Sequence, residues 1–470
     1  MARVRGRGHY RVTFAVLAVG VGAYALLQSL VIPVLTTVQQ QLHTSQDAVT
    51  WVLTAYLLSA SIMTPILGRV GDMVGKERVF VISLAALALG SLLAALASSI
   101  GVMIVARVIQ GVGAGMIPVA FGIIRDEFPA GKVTGAVGVI ASLSAVGGGL
   151  GIVLAGPIVT ALGYRWLFWL PMIFTIIAAV SAVLFVPESP VRAPGRVSWL
   201  PPVLLSAWLV ALLVALSEAP AWGWGSARVT GLLAAAVLLG VGWVVAELRA
   251  RTPLIDMAMM RRTAVWTNNL VALLIGMGMY ATFAFLPEFV QTPSAAGYGF
   301  GASITGSGLM LLPSAATMFV VGMSSGRLAA RFGGKALVVA GCVIGAASMA
   351  ILALAHHHPW EIYVSTGLMG IGFGLAFAAM SALIVAAVPV SQTGVASGMN
   401  ANIRTIGGSI GAAACQHRDL ATRRVRSAKG GRLHDGVRGD DRVPRARRPG
   451  RPADPRRAAH GRGGLAGRRA

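Results

Sequence analysis

Four ionisable residues interrupt otherwise apolar runs: Asp72, Arg107, Glu288 and Arg404. A charge in hydrocarbon is costly, so each must meet a partner, a cavity or the membrane surface. Groups placed this way can bind ligands or switch charge. Asp72 lies in the polar stretch Gly68-Arg69-Val70-Gly71-Asp72-Met73-Val74-Gly75-Lys76-Glu77-Arg78. That stretch reads as a tight turn between two membrane spans. Its glycines let helix ends approach, Asp72 can face a helix N-terminus, and Lys76 and Arg78 hold the turn on one side of the bilayer. Arg107 either faces a cavity or partner, or snorkels from the outer end of its span. Glu288, beside Pro287, either titrates or attracts a cation, or is an exposed acid at a helix end. No GxxxxGK[ST] stretch is present, and no soluble segment is large enough for a catalytic serine, cysteine or zinc constellation, so an enzyme is not expected. Cys342 and Cys415 have neither disulfide-framework nor metal-ligand spacing. His356, His357 and His358 would point in different directions on an extended loop. No metal site is expected.

The elements that must carry these residues are transmembrane helices. The 470 residues are 56% hydrophobic and 12% charged, with a mean hydropathy of +0.75. Apolar runs of about twenty residues recur along the chain, as bilayer-spanning helices require. The net charge of +23 suggests nucleic acid until its placement is considered. Of the 39 basic residues, 17 fall in Gln416–Ala470. Eighteen more sit in the N-terminus and alternate loops, against two, Arg165 and Arg228, in the other loops. This is the positive-inside pattern, with a cytoplasmic N-terminus and no nucleic-acid partner. The cytoplasmic loops include those carrying Arg125 and Lys132, Arg192 and Arg196, and Arg249 and Arg251; Asp47 and Glu361 fall on the other side.

The organisation expected is a cytoplasmic N-terminus at 1–11, six spans at 12–186, a linker with two more spans at 187–263, further spans at 264–414, and a basic tail at 415–470. The second span is expected at Ala48–Leu67, the third at Val79–Ala97, the fifth at Gly135–Leu162 and the tenth at Ala302–Met323. A thirteenth begins near Val395 and stops near Ala414. Gly326-Arg327-Leu328-Ala329-Ala330-Arg331-Phe332-Gly333-Gly334-Lys335 repeats the spacing of the opening stretch, with Ala330 in place of Asp72. Two copies at equivalent places imply two homologous halves.

On these residues the chain resembles the major facilitator superfamily, and within it the fourteen-span drug:proton antiporter subfamily. Gly68, Asp72, Gly75, Lys76 and Arg78 match the motif between spans two and three. Arg107-Val108-Ile109-Gln110-Gly111-Val112-Gly113-Ala114-Gly115 resembles the span-four motif. Gly147, Gly151 and Gly156 keep the glycine spacing of the fifth-span antiporter motif, but Ile152 takes the usual proline position and Pro157 follows the last glycine. Their glycine face suits close helix packing. Asn402, Arg404 and Ile406-Gly407-Gly408 resemble the start of the thirteenth span.

The resemblance implies an all-α polytopic protein of two six-helix bundles with two inserted helices, its last spans missing. It implies export of lipophilic or cationic drugs by alternating access, with a proton gradient as energy source and no cofactor. A multi-pass monomer in the plasma membrane is expected, with the lipid bilayer and a small substrate as partners. A metabolite facilitator on the same fold, or a non-transporting sensor, stays open. Asp72 would latch onto the thirteenth helix or pair with Arg125; its alternative is a simple topology anchor. The first span carries no acid, so proton coupling falls to Arg107, Glu288 and Arg404. Tyr24, Gln28, Trp51, Tyr56, Gln110, Asn268, Asn269 and Tyr280 would line the substrate cavity.

From Cys415 the composition changes to Arg, Gly, Ala, Pro, Asp and His. A shift of reading frame near codons 412 to 416 of a GC-rich gene is the expected cause. A native basic tail binding anionic lipid or nucleic acid is the rival.

Overall fold

Long apolar runs have one way to satisfy their backbone in a bilayer without forming a barrel, which is to coil into helices. The computed structural model describes residues 10–188, 199–250, 252–294, 299–411, 413 and 414; the side chain of Asp47, Arg192, Arg196, Arg251 and the tail at 415–470 lie outside the described residues. No strand occurs among the described residues. The chain runs through α1 (Tyr10–Leu30), α2 (Leu35–Gln41), α3 (Gln46–Val74), α4 (Lys76–Leu96), α5 (Ile100–Val112), α6 (Met116–Glu127), α7 (Ala130–Leu162) and α8 (Trp166–Phe185). It continues through α9 (Leu200–Trp222), α10 (Ala227–Arg249), the short α11 (Met257–Met260), α12 (Thr263–Gln291), α13 (Ile304–Phe332), α14 (Gly334–Leu354) and α15 (Pro359–Ala387). A last helix, α16, occupies residues 393–411. Among the described residues, twelve helical stretches are long and apolar enough to span a membrane.

Several helix ends differ from the sequence expectation. The second span does not stop at Leu67 but stays helical to Val74, and the tenth runs on to Phe332. Their charged ends still close backbone hydrogen bonds, so helices outlast the hydrocarbon that betrays them in sequence. The expected turn at Gly68–Arg78 therefore shrinks to Gly75, at φ 137°, between two helices. Gly333, at φ 81°, makes the matching break between α13 and α14. Both angles suit glycine alone without strain. The fourth span is split into α5 and α6 by a 3₁₀ turn at Gly113–Gly115. Serine caps, such as Ser45 accepting from Ala48 N and Ser99 from Val102 N, start several helices.

Packing divides the helices into two bundles. In the first, α7 and α8 lie against α1, and α8 also covers α4; in the second, α13 and α14 lie against α15. The bundles meet where α7 packs on α13 and α15. The inserted α9 and α10 pair with each other through Trp208 and Trp243, stacked at 5.3 Å and 6°, and α9 touches α3. Helix α15 is apolar on every face, and 83% of its spanning window is buried; α10, at the periphery, buries 17%.

Candidate functional site

At the end of the bundle that carries Gly75 and Gly333, the two halves make close backbone contacts. Asp72 occupies the last turn of α3 and is 1% exposed. Its Oδ2 accepts hydrogen bonds from Gly394 N at 3.1 Å and Val395 N at 3.3 Å, in the first turn of α16. A carboxylate there meets unpaired N–H groups and the positive end of the helix dipole. One turn earlier, a Cβ on Gly68 would fall 2.6 Å from Gly394 O, so the chains approach only because both residues are glycine. The repeat makes a corresponding contact: a Cβ on Gly326 of α13 would fall 2.6 Å from Gly135 Cα of α7. Arg125 does not ion-pair with Asp72. It donates from Nη1 to Thr393 Oγ1 at 2.7 Å, reaching the same helix start by another route.

Lys76 is equally buried. Its Nζ lies 2.8 Å from Asp126 Oδ2 and 3.8 Å from Asp72 Oδ1, which gathers two acids around one base. Asp126 was not anticipated from sequence; its signal was an acid closing the fourth apolar run, beside Arg125. Arg78 pairs with Glu188 at 3.2 Å, but its side chain is 60% exposed, so the bridge contributes little.

Deeper in the bundle lies a cavity of about 320 Å³. Tyr24 and Gln28 of α1, Tyr56 of α3, Tyr280 of α12, and Asn402 and Arg404 of α16 line it, together with Phe377 of α15. Both bundles therefore contribute. The Tyr24 and Tyr56 rings lie 6.3 Å apart, and the Arg404 guanidinium sits 4.0 Å above the Phe377 ring. No carboxylate is among the described lining residues.

Other residues expected at the cavity have structural partners instead. Arg107 is fully buried and does not snorkel. Its Nε donates to Val52 O at 3.0 Å and its Nη1 to Gln110 Oε1 at 2.7 Å. Its guanidinium lies 4.2 Å from the Tyr56 ring centre. Gln110 in turn donates to Ser91 Oγ at 3.1 Å. Arg107 and Gln110 thus form a layer outside the cavity lining, with Tyr56 in contact with both layers. Asn268 donates to Met380 O at 2.9 Å, and Asn269 Oδ1 accepts from Asn400 Nδ2 at 2.9 Å, clasping α12 to α15 and α16. Trp51 is half-buried and outside the lining. Glu288 is exposed on the last turn of α12, eight residues past Tyr280, a rise of about 12 Å. It reaches no lining position, so an acid for a cationic ligand is missing where one was expected.

Two of the fifth-span glycines lie closely against α1. A Cβ on Gly147 would overlap Ala25, and one on Gly151 would overlap Ser29, whose hydroxyl donates to Gly147 O at 2.7 Å. Gly156 lies beside Thr305 of α13, and Pro157 is exposed. Among the described residues no cluster of three or more His, Cys, Asp or Glu could hold a metal ion. His357 N and His358 N instead donate to Glu361 Oε2, at 2.7 and 2.9 Å, capping α15.

Comparison with known proteins gives a consistent picture. The family model described as Major Facilitator Superfamily matches residues 17–412. The tetracenomycin C resistance and export protein of Streptomyces glaucescens is 31% identical over 411 residues, covering 87% of this chain and 75% of that protein. A multidrug resistance protein B homolog of Mycobacterium tuberculosis is 30% identical over 383 residues, covering 78% and 68%. Among solved structures, the human organic anion transporter MFSD10 superposes with a TM-score of 0.65 at 15% identity, over 87% of this chain and 93% of that one. The proton:xylose symporter XylE superposes at 0.59 and 12% identity, over 86% and 87%. These two share the fold.

Proposed function

This chain belongs to the Major Facilitator Superfamily, as a multi-pass membrane transporter rather than an enzyme, and from that premise we propose that it exports small lipophilic molecules by proton antiport. The observation that carries this reading is one cavity lined by both bundles, with Asp72 hydrogen-bonded across the bundle interface at one end. Such an arrangement suits alternating access, in which the two bundles rock about a central site. The names of the relatives, resistance and multidrug proteins, support export. The excess of basic residues in alternate loops supports a cytoplasmic assignment for this closed end and for the N-terminus; a monomer in the plasma membrane is part of the same reading.

Asp72 is the latch in this scheme. Its contact with the start of α16 exists only while the cytoplasmic end is closed. Since the cavity lining offers no carboxylate, coupling is assigned to the seal, where Asp72 and Asp126 flank Lys76. A proton on Asp72 removes the charge that faces the α16 N–H groups and so favours opening. Nile red retention in cells expressing the chain, with and without a protonophore, tests export. Energy-dependent clearance that the protonophore abolishes is the expected result. Counterflow of one defined solute without pH-gradient dissipation would identify a facilitator instead. Binding without flux would identify a sensor.

A further inference from the structure

The two arginines inside the bundle differ in what surrounds them. Arg107 directs Nε to Val52 O and Nη1 to Gln110 Oε1, with Nη2 buried and unpaired, and it lies outside the cavity lining. Arg404 lines the cavity, rests on the Phe377 ring, and donates no hydrogen bond to a described protein group. No acid lines the cavity to balance it among the described residues. Two further buried polar side chains border the same cavity without partners. Asn402, 1% exposed, borders the same cavity with neither its Oδ1 nor its Nδ2 hydrogen-bonded. Ser61, 3% exposed on α3, borders it with an unpaired hydroxyl. Buried polar groups are ordinarily satisfied, because leaving one unpaired costs about 1–3 kcal/mol. A cluster of them around a water-sized or larger space points to a ligand that supplies the missing partners.

We propose that the cavity selects planar aromatic compounds bearing an ionised acid group, and that Arg404 binds that group. This rests on the export reading and narrows its substrate class. The guanidinium offers paired N–H donors to a carboxylate or phenolate, which an ammonium or iminium ligand cannot use. The Asn402 amide, on another part of the same lining, offers a donor and an acceptor to a further polar group of the ligand. The rings of Tyr24, Tyr56, Tyr280 and Phe283 bound the rest of the space, and a flat aromatic body fills it with least loss of contact. A cation in the same place would face Arg404 across a low-dielectric gap with no counter-charge, and so be rejected.

Two xanthene dyes of opposite charge test the proposal: fluorescein, an anion at mildly alkaline pH, and a cationic rhodamine ester. Binding to the full chain in nanodiscs is read by fluorescence anisotropy. Fluorescein is expected to bind at least about tenfold more tightly than the rhodamine, and to lose about tenfold in Arg404→Gln, the worth of one charged hydrogen bond. Arg404→Lys should recover part of that loss, and Asn402→Ala should weaken fluorescein several-fold while leaving the rhodamine unchanged. Equal or tighter rhodamine binding overturns the proposal, as does an Arg404→Gln variant that binds fluorescein normally. Should Arg404→Gln not fold, the two-dye comparison on the unaltered chain and Asn402→Ala still decide it. Flux in proteoliposomes separates the two readings. Fluorescein bound through Arg404 but never moved refutes export and leaves the site; rhodamine moved in preference to fluorescein supports export and refutes the site.

Discussion

At the scale of single residues, a buried charge is useful only where the fold gives it partners. Asp72 has two backbone N–H groups of α16, so replacing its charge while keeping its shape should loosen one state selectively. Asp72→Asn is expected to weaken the closed seal by about 1–2 kcal/mol, the scale of a charge at a helix N-terminus. Spin-label distances across the Gly68–Gly394 end should then shift toward the open population; an unchanged distribution would remove Asp72 as a latch. Gly68→Val tests the same contact by volume. Its side chain would collide with Gly394 O, so the seal should open and transport fall, while thermal unfolding of the first bundle stays near that of the parent.

At the scale of elements, α7 shows how a glycine-rich helix serves two neighbours. Gly147 and Gly148 are adjacent, yet only Gly147 faces α1 closely. Gly147→Ala forces a methyl into Ala25 and is expected to destabilise the bundle by about 1–3 kcal/mol, the usual cost of overpacking. Gly148→Ala enters open space beside the cavity and should leave stability unchanged. Detergent-solubilised melting curves of the two variants check the contrast; equal melting points would mean the α1–α7 contact is less tight than described. The same logic explains why Asn269 was misplaced in sequence. It lies near the angular position of Tyr280 on α12, but eleven residues away, about 16 Å along the axis, where α16 rather than the cavity waits.

At the scale of the whole molecule, the proposed topology puts the Gly75 and Gly333 breaks inside and the His356–His358 loop outside. In a chain whose Cys342 and Cys415 are replaced by alanine, a cysteine at Arg78 should react with a membrane-impermeant maleimide only from the cytoplasm. One at His357 should react only from outside. Labelling of both from one side would overturn the assigned topology. The outer helices are apolar on their exposed side: α10 exposes Val237 and Leu238, and α14 exposes Val343, a surface suited to lipid tails rather than water.

The all-helical membrane-spanning fold and the placement of Asp72 at a helix end were legible in the sequence. Each rests on local composition or short spacing: hydropathy over about twenty residues, a repeated Gly-Arg motif, and the sign of loop charges. Trp51, Gln110, Asn268 and Asn269, expected at the cavity, are not among its lining residues. A polar residue in an apolar run announces that it needs a partner, but the partner is chosen by the rotation and height of helices distant in sequence. Arg107 and Arg404 look alike as residues. Tertiary packing closes a carbonyl and an amide around the first and leaves the second bare over Phe377, and the proposed ligand contact rests on that difference.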